Sequence, residues 1–280
     1  MVRFTLAALV LIASLLSCDL LDLSGVMLES DGAITADEAV AGLKEALAVG
    51  ADSASSRLGD TGGYLLREAV RIALPENARA VFAFADTLDA IMGAWGPVLT
   101  AAAAEVLAAD MSVFEADDSL MIAMNRAAES AAALAAPIFK NAITGMTVQD
   151  GFDILYGDST AATGYLRDNT FAELVEAYAP VIDSALARTG AYDLWQSIAI
   201  SYNELAMNYH ALTSLTTQDM PALPFDRLVV DMGAYATGEA LDGLFLMVGR
   251  EESRIRRDPV ARVTEILRKV FGSLESNEAA

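Results

Sequence analysis

Side chains able to do chemistry are few in this 280-residue chain. The single histidine, His210, would have to serve any Ser-His-Asp arrangement, and no G-x-S-x-G turn accompanies it. A lone histidine at a helix end or in a loop is more often structural than catalytic. Neither an H-E-x-x-H nor an E-x-x-H pair occurs, so the helical zinc and di-iron patterns do not apply. Asp150 and Asp153 share a helix face, as do Glu251 and its neighbours, but no D-x-D-x-D-G loop arranges them for calcium. These acids read as a solvated acidic face. No metal and no cofactor are expected. The one cysteine, Cys18, excludes an internal disulfide framework and a cysteine-based zinc site.

Charge narrows the partners. The chain has 18 Lys plus Arg against 39 Asp plus Glu, a formal charge of −21. Phosphate binding needs clustered cations, so nucleic acid is not expected as a partner. The charge is uneven. Residues 250–280 hold seven basic and six acidic side chains, whereas the first 249 hold 11 and 33. The C-terminal cations either dock on acidic neighbours or, through Arg254, Arg256 and Arg257, meet lipid phosphate.

The elements that position these residues read as helices. Alanine, the strongest helix former, occurs 53 times, and no run alternates like a strand. Thr35 with Glu38 is a capping box ahead of an apolar stripe that ends at Gly59 to Gly63. Pro75 opens a second helix to about Met92, broken at Gly93 to Pro97, and an alanine-rich segment follows to about Asp110. A long helix from Asp118 toward Thr144 is expected to bend or split at Pro137. Thr147 with Asp150 caps a short helix. Ser159 or Thr160 opens another, and Thr170 with Glu173 gives a third box for a helix running past Pro180 to Gly190. Ala191 to Asn208 is amphipathic, and His210 to Pro224 reads as a loop. Helices at Asp226 to Tyr235 and Gly238 to Arg257 precede an Asp258-Pro259 start of a last helix. The expectation is an all-α, bundle-like single domain over 35–272, with a frayed tail at 273–280.

The N-terminus reads as an address. Arg3 and the uncharged apolar run from Phe4 to Leu16 form a secretory signal, too short to span a bilayer. Leu15-Leu16-Ser17-Cys18 resembles the lipobox of bacterial lipoproteins. That resemblance implies a signal peptide at 1–17, cleavage before Cys18 and acylation of Cys18, whose thiol becomes the lipid attachment point. Residues 18–34 are then a lipidated tether. The implied address is the bacterial cell envelope, facing the periplasm, with inner or outer membrane open.

The polar motifs further along are Arg71-Ile72-Ala73-Leu74-Pro75-Glu76, Met124-Asn125-Arg126-Ala127-Ala128-Glu129, Ala161-Ala162-Thr163-Gly164-Tyr165-Leu166-Arg167, Tyr202-Asn203, Ala240-Leu241-Asp242-Gly243-Leu244-Phe245 and Asp258-Pro259-Val260-Ala261-Arg262. In order and spacing they resemble an exported bacterial family filed as domain of unknown function 4197, across roughly Thr35 to Phe271. The resemblance implies a helical, often lipid-anchored protein and brings no established activity. Between about Ala83 and Ser119 the chain departs from that pattern.

These motifs hold the candidate site residues. Asn125, Arg126 and Glu129 fall within one helical turn, and Thr163 and Arg167 are four apart on one face. Tyr202 and Asn203 are adjacent, and Asp242 interrupts an apolar stretch. They form either a buried network joining helices or a polar-lined pocket in which Arg126 and Arg167 receive a small anionic ligand. Three functions follow: a membrane-anchored, non-enzymatic protein binding an envelope partner or ligand; a hydrolase using Glu129 with Arg126; or a structural envelope scaffold.

Overall fold

The computed structural model describes residues 35–95, 117–215, 221–262, 264–266 and 268–270. The signal, Cys18, the tether, the alanine-rich segment from 96 and the tail from Ser273 lie outside the described residues. Thr35 opens α1 (Ala36–Gly59) with the expected capping box, its hydroxyl accepting the Glu38 N–H while Glu38 accepts the Thr35 N–H. A turn-rich segment of non-helical backbone, 60–75, leads to α2 (Glu76–Trp95). Gly63 fixes that turn, because a Cβ there would lie 2.2 Å from the Leu58 carbonyl oxygen. Helix α2 continues through Gly93 to Trp95, a little beyond the expected break.

The long central helix splits, as the proline required, but upstream of it. Pro137 lacks an N–H and its ring crowds the carbonyl four residues earlier, at Ala133. Helix α3 (Asp117–Ala131) therefore tightens into a 3₁₀ turn, η1 (Ala132–Leu134), before α4 (Ala135–Gly145). Thr147 and Asp150 form the capping box of α5 (Val148–Leu155) as expected.

Three expectations are corrected downstream. Thr170 with Glu173 starts nothing: α6 (Ala161–Arg188) is one helix through both, and buried Thr170 donates to the Leu166 carbonyl four residues back. The expected loop from His210 is helical at first, since α7 (Ala191–Leu215) includes His210. Residues 226–231 are not helical. They belong to a strap, 221–231, and α8 (Met232–Arg257) starts on Asp231, whose carboxylate accepts the Ala234 N–H at 2.9 Å. Gly238 lies inside this helix, since one glycine costs only about 1 kcal/mol and burial of one face outweighs it. Beyond η2 (Pro259–Ala261), the described residues 265–266 and 268–270 are helical, within the stretch expected to form the last helix.

The described residues thus form an all-α fold of eight α-helices without strands. Helix α8 is its centre, with Ala236, Ala240, Leu241 and Leu244 fully buried. Helix α6 packs antiparallel to it: Thr163 meets Glu252, Phe171 meets Phe245, and Gly233 approaches Asp183. Helix α1 packs antiparallel on another side, with Gly50 against Glu251 and Ile255, and Tyr64 beyond its end against Gly243. Gly243 is where a side chain would be excluded, since its Cβ would stand 2.9 Å from the Tyr64 ring. No single described helix is long and apolar enough to cross a membrane.

The bundle has two ends. One holds the start of α1, the α4–α5 turn, the end of α8 and the C-terminal turns, tied by Lys269 to Glu38 at 2.7 Å. The other holds segment 60–75, the start of α8 and the strap. Tyr235 at the start of α8 donates to the Ala73 carbonyl at 3.0 Å across that end. A 24-residue α1 separates the ends by about 36 Å.

Candidate functional site

On α3, Asn125 faces segment 60–75 and is fully buried. Its Oδ1 accepts the Ile72 N–H at 2.9 Å, and its Nδ2 donates to the Ile72 carbonyl at 2.8 Å and to Met121 O at 2.7 Å. One amide thus reproduces a strand partner for a residue with no ladder of its own. One turn on, Glu129 Oε1 accepts the N–H groups of Tyr64 at 3.3 Å and Leu65 at 3.2 Å. Its Oε2 takes Arg126 at 2.6 Å. The carboxylate is buried while Arg126 is 41 % exposed. Tyr64 completes the joint by donating to Ala240 O at 2.7 Å. Burial raises the Tyr64 phenol well above its ordinary pKa, with the charges of Tyr178 and Glu129 adding to it.

At the opposite end Thr163 meets Glu252, a neighbour of Glu251 on the face expected to be solvated. Glu252 is 7 % exposed and Glu251 4 %, so the solvated face expected around Glu251 is buried instead. Glu252 Oε1 accepts the Ala162 N–H at 3.1 Å, and its Oε2 accepts the Thr163 N–H at 2.9 Å and hydroxyl at 2.7 Å. It caps α6 from another helix, where Thr160 provides no side-chain cap of its own. Arg256 holds Glu252 at 3.0 Å and donates to Ile154 O at 2.9 Å. Glu251 pairs with Arg254 at 2.6 Å and with Arg57. Arg254 and Arg256 therefore dock on acidic neighbours rather than standing free for phosphate. Arg262, 3 % exposed, holds Ile255 O and Arg256 O. The signal for Glu252 was its place in the apolar row with Val248 and Ile255.

Tyr202 and Asn203 both serve the strap. Buried Tyr202 donates to Phe225 O at 2.5 Å and accepts the Phe225 N–H at 3.1 Å. Asn203 repeats the amide pattern on Leu228, accepting N–H at 2.8 Å and donating to the carbonyl at 3.4 Å. Trp195 adds a bond to Val230 O at 3.2 Å. Burial raises the Tyr202 phenol, the Phe225 N–H opposing it and Asp226 adding to it. Arg167 and Asp242 instead pair at the surface at 2.7 Å, 45 % and 58 % exposed. The Arg167 guanidinium lies 5.2 Å from the Phe171 ring centre and 5.3 Å from that of Phe245.

The eight residues thus divide among separate joints. Asn125, Arg126 and Glu129 share one, Tyr202 and Asn203 another, Arg167 and Asp242 a third, and Thr163 joins Glu252. Cys18 lies outside the described residues. The sequence pattern of a family described as "Protein of unknown function (DUF4197)" matches residues 33–94 and 97–272. The chain belongs to this family. No curated protein and no solved structure matches it. The two blocks matched to DUF4197 leave out only 95–96 of the stretch expected to depart from the family pattern, and the joint of Asn125 and Glu129 with segment 60–75 ties one block to the other.

Chemically, the joints of this DUF4197 chain make carboxylates and amides fixed acceptors and donors for backbone. Among the described residues no group of three or more His, Cys, Asp or Glu could hold a metal. A dimple between α1, α8 and the start of α6 is lined by Leu43, Leu47, Ala162, Val248 and Ile255, with Glu252 and Arg256 at its edge. It has room for about one water.

Proposed function

We propose that this protein is a lipid-anchored, non-enzymatic interaction protein of the bacterial envelope, held by acylated Cys18 and facing the periplasm. The anchor rests on the Leu15-Leu16-Ser17-Cys18 motif. The interaction role rests on one observation: Asn125, Glu129, Tyr202 and Asn203 are spent on holding two non-helical segments, 60–75 and 221–231, in fixed form at one end. Buried polar groups there cost stability unless every one is matched, so a merely compact bundle gains nothing from such segments. Beside them Leu66, Met207, Phe225 and Val229 are exposed, Val229 at 71 %. Exposed apolar side chains on a rigid backbone suit a protein partner, with little ordering entropy left to lose.

The test places a photo-reactive amino acid at Val229 or Leu66 in the lipidated full chain, within intact envelopes. A discrete protein adduct is expected at these positions, abolished by Met207→Asp with Phe225→Asp. Equal, diffuse labelling at Val229 and at exposed Lys140 overturns partner binding and leaves the scaffold reading.

A further inference from the structure

We infer that the end of the domain bearing Tyr156 and Val260 lies against the bilayer surface; this rests on the reading of Cys18 as a lipid anchor. Three observations meet there. First, the tether ends at this place. Residues 18–34 run from the anchor to Thr35, the cap of α1, and α1 is held against the C-terminal turns by Lys269 on Glu38 and by Val270 packed on Gly42. Seventeen residues reach up to about 60 Å when extended, so the tether permits this approach without enforcing it. The surface must supply its own attraction.

Second, large apolar side chains stand out at this end. Tyr156 is 75 % exposed and Val260 86 %, and Val148 is 47 % exposed. Tyr156 and Val260 flank the Arg256 junction, which ties the end of α5 to the end of α8 through Ile154 O. Phe152 stacks on Tyr156 at 6.2 Å, widening the aromatic surface. Tyrosine with an apolar body and a polar tip suits the headgroup level of a bilayer.

Third, the charge fits. Residues 250–270 carry seven basic and four acidic side chains, a net of +3 in a chain of −21. Arg257, Arg268 and Lys269 are exposed. Arg254 and Arg256 are engaged by Glu251 and Glu252, and Arg262 is buried. The attraction to an anionic lipid surface therefore comes from exposed Arg257, Arg268 and Lys269, set against Glu38, Asp150 and Asp158 at the same end. The apolar end and the cationic segment are the same end, so the domain orients with segment 60–75 and the strap pointing away from the membrane.

The anchored protein provides its own control for a test. Cys18 is the sole cysteine and its thiol is consumed by lipid, so Val260→Cys introduces one labelable thiol. The full lipidated chain, spin-labelled through Val260→Cys, Tyr156→Cys or the control Val229→Cys, is placed on vesicles of phosphatidylethanolamine and phosphatidylglycerol. Collision with oxygen, which concentrates in lipid, should rise at positions 260 and 156, and collision with a water-soluble nickel chelate should fall. Position 229 should keep full access to nickel. Vesicle-bound protein with all three labels equally open to nickel overturns the face and leaves the anchor. Labels shielded from nickel and oxygen alike overturn it too, because that is contact with protein or a second copy. Chain that does not float with the vesicles overturns the anchor and the inference with it.

Discussion

Glu129 and Glu252 are each 7 % exposed, and each accepts two backbone N–H groups and one arginine, yet they hold backbones of opposite kind. Glu252 caps the first turn of α6, whose remaining turns satisfy themselves. Glu129 holds residues 64 and 65 in a segment that has no helical ladder. The lesson is that one chemical device serves two purposes: at the end holding Thr35 it finishes a helix, and at the opposite end it replaces one. The far end is therefore the part whose shape depends on individual side chains.

Removing each glutamate tests that contrast. Glu129→Ala leaves two backbone donors and Arg126 without their acceptor, and a loss of about 3–5 kcal/mol in urea unfolding is expected. Exchange protection should vanish throughout 60–75. Glu129→Gln keeps an acceptor and should lose less. Arg126→Ala should also cost less, since Glu129 retains two N–H donors. Glu252→Ala leaves two N–H donors, the Thr163 hydroxyl and the more buried Arg256 without their acceptor, so a loss on the same scale is expected, with exchange rising only around 158–164. Exchange that rises only locally in both alanine variants, or throughout in both, would break the comparison.

The capping boxes at Thr35 and Thr147 were legible because both partners lie within one turn. The same rule misled at Thr170, where the pattern sits inside a helix whose burial decided the matter. The strap was missed because the groups that hold it, Tyr202 and Asn203, lie 23 and 25 residues away from their targets. Asn125, Glu129 and Tyr202 stood out as polar residues in apolar settings, and each is buried. Their assortment into separate joints is a property of long-range packing that no local spacing carries. Glu252 was passed over because an adjacent glutamate pair on a helix usually faces water.

Between the two glutamates and the last effect stands Arg167. It bridges α6 and α8 but is half-exposed, so Arg167→Ala should cost under about 1 kcal/mol, lost aromatic contact included. A larger loss would mean that surface pairs, not only the buried joints, hold α6 against α8.

The smallest effect separates the ends by pH. At the end where α1 starts, Glu38 is held down to about 2, first by Lys269 and then by the Thr35 N–H. Thr147 lowers Asp150 and Thr160 lowers Asp158. A carboxyl whose folded pKa is lowered adds stability above its unfolded value and loses it as pH falls through the folded one. For Glu38 that window runs from 4.5 down to about 2. At the far end burial raises the phenols of Tyr64, Tyr202 and Tyr235, and each donates to a backbone carbonyl. Their contribution is complete below the ordinary value of 10.0 and fades as pH climbs above it, when the ionised phenolate in the unfolded chain competes. Methyl NMR of Val270 and Val40 should therefore shift first in acid, and that of Val70 and Leu228 first in alkali. Signals from both ends moving together at either extreme would show that the bundle loosens as one unit, and that the two ends differ in form without differing in stability.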